Sequence, residues 1–285
     1  MSISVYEIVT DRFIKALESG TIPWQKPWVG RPAFNRISGK TYSLLNRMML
    51  QHSGEYATYK QWNALGGKPN KGGAEIVVFW KMDKKVQVDD EGNETYKFRP
   101  VLRYFQVWHI SNVTGVDPLE EDRIETPAEP LEAAEKVIAD YDAREPITFQ
   151  IEESDSAYYA PHFDLIRLPE LRQFRKAEQY YSTAFHEMIH STGHHSRLNR
   201  FPEDQSLAAF GSEDYSKEEL VAEIGAASLV NITGIETEAS FQNSAAYVKS
   251  WLKALKNDPK MIVGAASKAE QAVQYILTGE KPKYN

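Results

Sequence analysis

The sequence predicts an α+β protein made of two unlike parts. A small N-terminal domain of mixed sheet and helix is expected over residues 1–115, and a mainly helical domain over 131–285, with a linker at 116–130. Three observations predict this. The chain has 285 residues, about twice the length at which single domains usually sit, and its 42% hydrophobic content is ordinary for a globular protein. Charge is divided unevenly: residues 1–115 carry 16 Lys+Arg against 10 Asp+Glu, whereas the remainder carries 17 against 30. Between the halves lies Gly115–Pro130, GVDPLEEDRIETPAEP, rich in proline and acid and poor in apolar residues.

Each element has its own signal. Val5–Leu17 places apolar residues at Val5, Ile8, Val9, Phe13 and Leu17, a helical period ended by Gly20. The prolines of TIPWQKPW forbid regular helix in the next segment. Tyr42–Gln51 and Tyr59–Leu65 read as helices, the latter closed by Gly66-Gly67. Glu75–Trp80 and Val101–Ile110 read as strands, and the turn Asp89–Asn93 predicts a hairpin between Lys84–Val88 and Thr95–Phe98. Downstream, Leu131–Ala143 is a helix, Ile147–Ile151 a strand and Asp164–Leu168 a short strand stopped by Pro169. Ala177–Ser191 is a helix with Gly193 expected as its C-cap, and Lys217–Val230, Ser240–Lys256 and Ile262–Leu277 complete the helical part.

Some functional classes are excluded at once. There are no cysteines, which removes disulfide scaffolds, thiolate metal sites and thiol nucleophiles. No apolar run reaches the roughly 18 residues of a membrane span, and MSISVYEIVTDRF lacks the pattern of an export signal, so a cytoplasmic location without membrane partners is expected.

The sharpest chemical signal is His186-Glu187-Met188-Ile189-His190. On a helix, residues four apart lie one turn above each other, so both imidazoles can reach one tetrahedral cation. Glu187 sits beside them, where a carboxylate can take a proton from water. Apolar neighbours Tyr180, Tyr181, Phe185, Met188 and Ile189 predict a buried helix, where two histidines and an acid need a partner. A third histidine ten residues after the first is excluded, because position 196 is serine. The third ligand is then a carboxylate from Ser216–Ser228, where Glu219 and Glu223 share a face. The segment ELVAEIGA resembles the E-x-x-A-D-x-x-A helix of some gluzincin metallopeptidases, in which the first acid binds the metal and the second orients a ligand histidine. That favours Glu219 as ligand and Glu223 as its partner, with the exchanged roles left open. Glu218 suits a solvated helix face. Tyr215 is a candidate oxyanion donor, and His194 and His195 are candidate transition-state or substrate-carboxylate contacts. By fold analogy, DLIRL takes the place of the edge strand that binds extended substrate. Zinc suits this donor set, and manganese or iron would tolerate it.

In the basic half, cations and flat rings interleave: Trp24, Lys26, Trp28, Arg31, Phe34, Arg36, Lys40, Tyr42 and Arg47, followed by Lys60, Lys68 and Lys71 around a glycine-rich turn. That mixture serves single-stranded DNA, whose phosphates need cations and whose bases need stacking surfaces. Trp24 and Trp28 could equally staple their loop to the core. No helix-turn-helix or finger pattern appears.

With these residues in view, the chain resembles the ArdC family of plasmid-encoded antirestriction proteins along essentially its whole length. The resemblance rests on Gly20–Trp28 (GTIPWQKPW), on Asn35 with Ser38-Gly39-Lys40, Tyr42 and Asn46, and on Tyr59-Lys60-Gln61 through Leu65-Gly66-Gly67. In the second half it rests on His186–Arg200 (HEMIHSTGHHSRLNR) and Tyr215–Glu223 (YSKEELVAE). Tyr56-Ala57-Thr58-Tyr59 departs from the Trp-hydrophobic-Thr-Phe stretch expected there. The resemblance implies a single-stranded-DNA-binding domain followed by a zincin-like metallopeptidase domain, and protection of incoming plasmid DNA from restriction during conjugation. Single-stranded DNA is then the expected partner, with a protein substrate, such as a restriction component, that the sequence does not name. Two rival readings are a DNA-coating protein with a structural metal, and a DNA-dependent protease that clears proteins stuck on DNA.

Overall fold

The computed structural model describes residues 4–25, 31–88, 94–119, 130–201, 213–235, 248 and 251–282. Its compact units are residues 1–9 with 29–123, and residues 10–28 with 124–285. The chain therefore enters the C-terminal unit twice. The reason lies in residues 10–28: Thr10 Oγ1 donates to Pro259 O at 2.7 Å, and Trp24 is fully buried edge-on against Trp251, with ring centroids 5.3 Å apart. Helix α1 (Val5–Glu18) begins in the first unit and ends in the second.

The N-terminal unit is a four-stranded sheet in the order β1-β2-β5-β4. Its strands are β1 (Phe34–Asn35), β2 (Glu55–Ala57), β4 (Ala74–Val88) and β5 (Glu94–His109), and a small pair, β3 (Lys68–Pro69) with β6 (Val113–Thr114), lies apart. The four strand segments expected between 75 and 110 are two continuous antiparallel strands, paired from Ala74↔Trp108 to Val88↔Glu94. The turn expected at Asp89–Asn93 lies outside the described residues. The core gathers Ala33, Leu50, Tyr56, Val77 and Val107, with Tyr42 and Phe105 packed against them. Helix α2 (Leu44–Met49) is tied to this sheet by buried Asn46, whose amide accepts from Val78 N at 2.7 Å and donates to Val78 O at 2.8 Å. Helix α3 (Tyr59–Ala64) starts on a capping box between Thr58 and Gln61. Asn35 Oδ1 accepts from Ile37 N and Ser38 N, so this motif residue builds a turn.

The C-terminal unit packs α4 (Pro130–Arg144), α5 (Ala177–Ser191), α6 (Glu213–Thr233), α7 (helical residues 251–257) and α8 (Met261–Thr278) beside a three-stranded sheet. Most of the segment expected as helix from Ser240 to 250 lies outside the described residues. The sheet order is β7 (Thr148–Glu152), β9 (Leu165–Pro169), β8 (Tyr158–Ala160), with β7 parallel and β8 antiparallel to β9. DLIRL was expected at an edge. Instead β9 is central, because Tyr158–Ala160, too short to signal a strand, pairs with its other side.

Two glycines set close approaches around α5. The C-cap is Thr192, not Gly193; a Cβ on Gly193 would stand 2.5 Å from the Phe201 ring. A Cβ on Gly225 of α6 would stand 2.6 Å from Ile189 Cδ1 on α5, and Ile189 is fully buried. Gly225→Val is therefore expected to force the two helices apart and to lower stability by about 1–3 kcal/mol, read as a fall in the urea midpoint. An unchanged midpoint would show that this contact relaxes freely.

Candidate metal centre

Helices α5 and α6 bring together His186, His190 and Glu219. Among the described residues these three form a group whose ligand atoms all lie within 4.8 Å of one another. The two imidazole Nε2 atoms are 3.1 Å apart. Glu219 Oε2 lies 3.5 Å from His186 Nε2, and Glu219 Oε1 lies 3.4 Å from His190 Nε2. A tetrahedral ion with ligand bonds of about 2.0–2.1 Å needs ligand–ligand edges of about 3.3 Å, so the donor set fits a small divalent cation. Two nitrogen lone pairs and an anionic carboxylate turned on one point are also the chemistry such an ion takes.

A carboxylate also stands near the outer nitrogen of each imidazole. Glu223 Oε1 lies 3.9 Å from His186 Nδ1, and Glu218 Oε1 lies 3.5 Å from His190 Nδ1. Of the two acids whose roles the sequence left open, Glu219 is the one whose carboxylate lies near both Nε2 atoms, and Glu223 lies nearer His186 Nδ1. Glu218 was read as a solvated acid. Its side chain is 18% exposed and takes two contacts from Arg200, Nη2 at 2.6 Å and Nε at 3.3 Å. Arg200 also donates to Ile189 O and Thr192 Oγ1, so it ties Glu218 to the end of the histidine helix. Arg197, 2% exposed, ties Asp164 to the same helix end: its Nε donates to Ser191 O at 2.7 Å, and its guanidinium pairs with Asp164 and touches Tyr159. Neither arginine was singled out from the sequence, although both lie in HEMIHSTGHHSRLNR. A basic residue just past a helix C-terminus was the available signal.

Electrostatics favour positive charge at the centre. Burial opposes a charged His190, yet Glu218 and Glu219 outweigh it and push its pKa up to about 10. His186 is raised too, with burial opposed by the Glu219 carboxylate. Burial also works against ionised Glu218 and Glu219, but Arg200 and His190 pull the first down to about 2, and the two imidazoles hold the second well below the usual range. Glu223 is raised, chiefly by burial.

The remaining candidates are placed as follows. Glu187 is buried on α5 beside His186. Tyr215 is half-buried in the first turn of α6. His194 is buried, its Nδ1 2.8 Å from Ser196 Oγ, and its pKa is lowered by burial; His195 is exposed and its ring lies against that of His194. In the N-terminal unit, Lys40, Lys60, Lys68 and Lys71 are exposed. Arg36 is engaged with Glu55 and donates to Asp117 O, so its charge is compensated within the unit. Tyr42 packs on Tyr56, and Arg47 is half-buried on α2. Trp24 belongs to the C-terminal unit, is buried against Trp251 of that same unit and offers no face for a base. Lys26 and Trp28 lie outside the described residues.

These features define a zincin-like metal-binding domain preceded by a separate sheet-bearing domain. Comparison with known proteins agrees. Residues 132–268 match a family described as zincin-like metallopeptidase, and residues 3–108 match the N-terminal domain of the anti-restriction factor ArdC. The crystal structure of antirestriction ArdC from plasmid R388 is 32% identical over 96% of this chain and 97% of that one. Its TM-score is 0.72 for the metal-free form and 0.74 for the Mn(II)-bound form. The chain belongs to the ArdC family. Protein y4eC of Sinorhizobium fredii is 33% identical over 95% of this chain and 91% of its own. Two Escherichia coli proteins named DNA primase TraC are 36% identical over 97% of this chain, which spans only 27% and 20% of their lengths.

The metal-free protein is expected to be most stable in a bounded pH window. His190, raised in the folded state, contributes stability that is complete below its ordinary value of 6.5 and is lost as pH rises towards about 10. Glu218, lowered, contributes above its ordinary 4.5 and loses it as pH falls towards about 2. Urea midpoints of chelator-treated protein are expected to peak between these ordinary values and to fall on the alkaline side. Zinc is expected to reverse that alkaline trend, because the ion displaces protons from the imidazoles. A midpoint that rises with pH without metal would contradict the assignment.

Proposed function

We propose that the chain is a plasmid antirestriction protein whose N-terminal domain binds single-stranded DNA and whose C-terminal domain is a zinc peptidase, acting in the cytoplasm of a cell that receives DNA by conjugation. The domains are taken as residues 1–115 and 131–285, joined by 116–130, although residues 10–28, with the end of α1 and Trp24, fall in the C-terminal compact unit. The observation that carries the peptidase reading is the set of near-equal separations among His186 Nε2, His190 Nε2 and the Glu219 carboxylate. Zinc is preferred over Mn(II) or Fe(II) for two imidazoles and one carboxylate, and the Mn(II)-bound relative supports a site for a divalent ion.

A bound ion supplies Lewis acidity toward water and toward a peptide carbonyl. The chain's own groups do the rest. Glu187 accepts the proton of the attacking water and returns it to the leaving nitrogen. The phenol of Tyr215 donates to the developing oxyanion. Glu223 and Glu218 hold the His186 and His190 rings in place through their Nδ1 atoms. The protein substrate is a component of the restriction machinery. On the DNA side, exposed Lys40, Lys60, Lys68 and Lys71 supply contacts to phosphate.

Glu187→Ala decides between catalysis and a structural ion. The variant is expected to keep one zinc per chain by elemental analysis and to keep oligonucleotide binding, while losing cleavage of a peptide library by more than about 100-fold. If restriction protection survives that change in a conjugation assay, protection comes from coating DNA. Glu219→Ala is expected to lose the ion outright, whereas Glu223→Gln weakens it by about 10–100-fold; equal losses would exchange or merge the two roles.

A further inference from the structure

The outer part of the β4–β5 hairpin carries a surface that none of the sequence motifs includes. β2 meets β5 at Ala57↔Trp108 and Tyr56↔His109, so, among the described residues, 79–86 and 96–104 form a ribbon two strands wide. The pairs Trp80↔Leu102, Met82↔Pro100, Lys84↔Phe98 and Val86↔Tyr96 fix its register. Successive strand residues point to opposite faces, so these pairs share one side. That side exposes Trp80 (52%) and Phe98 (61%), together with Met82, Val86 and Tyr96. The opposite side carries Lys81, Lys85, Lys97, Arg99 and Arg103 against a single acid, Asp83, which takes a 2.9 Å contact from Arg103. Lys84 brings a cation onto the ring side, its Nζ 3.4 Å from the Tyr96 ring centre.

Trp80 touches Tyr6 edge-on, with ring centroids 6.3 Å apart, yet this row of rings stays about half exposed and is backed by an excess of cations, which is more apolar surface than packing within the unit requires. It has the two components that an unpaired nucleic-acid strand requires, flat surfaces for bases and charge for phosphates. We infer that this two-faced ribbon is the main contact for single-stranded nucleic acid. Bases stack on Trp80, Tyr96 and Phe98. Phosphates follow Lys84 and the long cationic side chains that reach round an arm only two strands wide. The inference rests on the proposed DNA binding of the N-terminal domain and locates it.

The test uses the full chain and a fluorescent thymidine oligonucleotide of about 20 nucleotides, longer than one binding site, titrated by anisotropy at about 50 and 200 mM salt. Joint replacement of Lys81, Lys85, Lys97 and Arg99 by alanine is expected to weaken binding more than about tenfold at low salt. It should also flatten the salt dependence by about 0.7 in log–log slope per lost phosphate contact. Trp80→Ala with Phe98→Ala is expected to weaken binding about tenfold at both salts with the slope unchanged. All these side chains are exposed or, for Trp80, half exposed, so thermal midpoints should hold. Independently, photocrosslinking to an oligonucleotide bearing 5-iododeoxyuridine is expected to label peptides within 79–86 and 96–104. If the unaltered chain binds but both variants bind as well as it does, or the crosslinks fall elsewhere, the ribbon inference is overturned and DNA binding stands. If the unaltered chain does not bind, the proposed role of the domain fails and this inference with it. A ring variant that changes sedimentation of the DNA-free protein while binding is intact would assign the face to a second copy, and would also overturn it.

Discussion

The close approach of α5 to α6, permitted by Gly225 against Ile189, is the constraint on which the metal centre depends. The two imidazoles come from one helix and are four residues apart by construction, but the carboxylate comes from another helix. An α-helix rises 1.5 Å per residue and is stiff, so the separation of the two axes sets how far Glu219 stands from His186 and His190. The absence of a side chain at one position lets that separation fall to the value at which all three ligand atoms face one point. Burying two imidazoles and three carboxylates together is unfavourable unless charge is compensated. Arg200 supplies part of that compensation through Glu218, and a divalent ion would supply the rest.

The same arrangement explains why the long motif extends past the fifth residue of H-E-x-x-H. Arg197 and Arg200 bind the last carbonyls of α5, the place where a helix leaves acceptors without internal partners. They stop the helix end from fraying beside the ligands. In the other domain, Asn46 and Asn35 hold a helix to a strand and close a turn. Residues that mark the ArdC family are thus partly there for shape, and only some of them can touch a ligand.

What could be read in the sequence was local. The histidine pair, the i,i+4 acids and most helices follow from spacing alone, and the described helix boundaries fall within four residues of those expected. What escaped was decided by distant partners. Glu218 looks solvated because its neighbour in sequence, Glu219, already claims the inward face, and side chains one residue apart on a helix diverge by about 100°; only Arg200 brings it into the centre. Trp24 sits in a stretch studded with cations, yet its place is fixed by Trp251, more than two hundred residues later. β9 could not be recognised as central until a three-residue strand paired with its free side. The two faces of the hairpin were spread over segments that looked like separate short strands, and continuous pairing from Ala74 to Val88 is what sorts rings from cations.

The double passage of the chain through its C-terminal unit bears on how the protein is made. Residues 10–28 leave the ribosome more than two hundred residues before the ring that covers Trp24. Until that ring emerges the tryptophan lacks its partner, and the metal-binding half cannot finish assembling without the helices that follow it. Folding of this unit is therefore a long-range event that closes around a segment delivered much earlier, whereas the hairpin sheet, whose partners are adjacent in sequence, can form as soon as it appears.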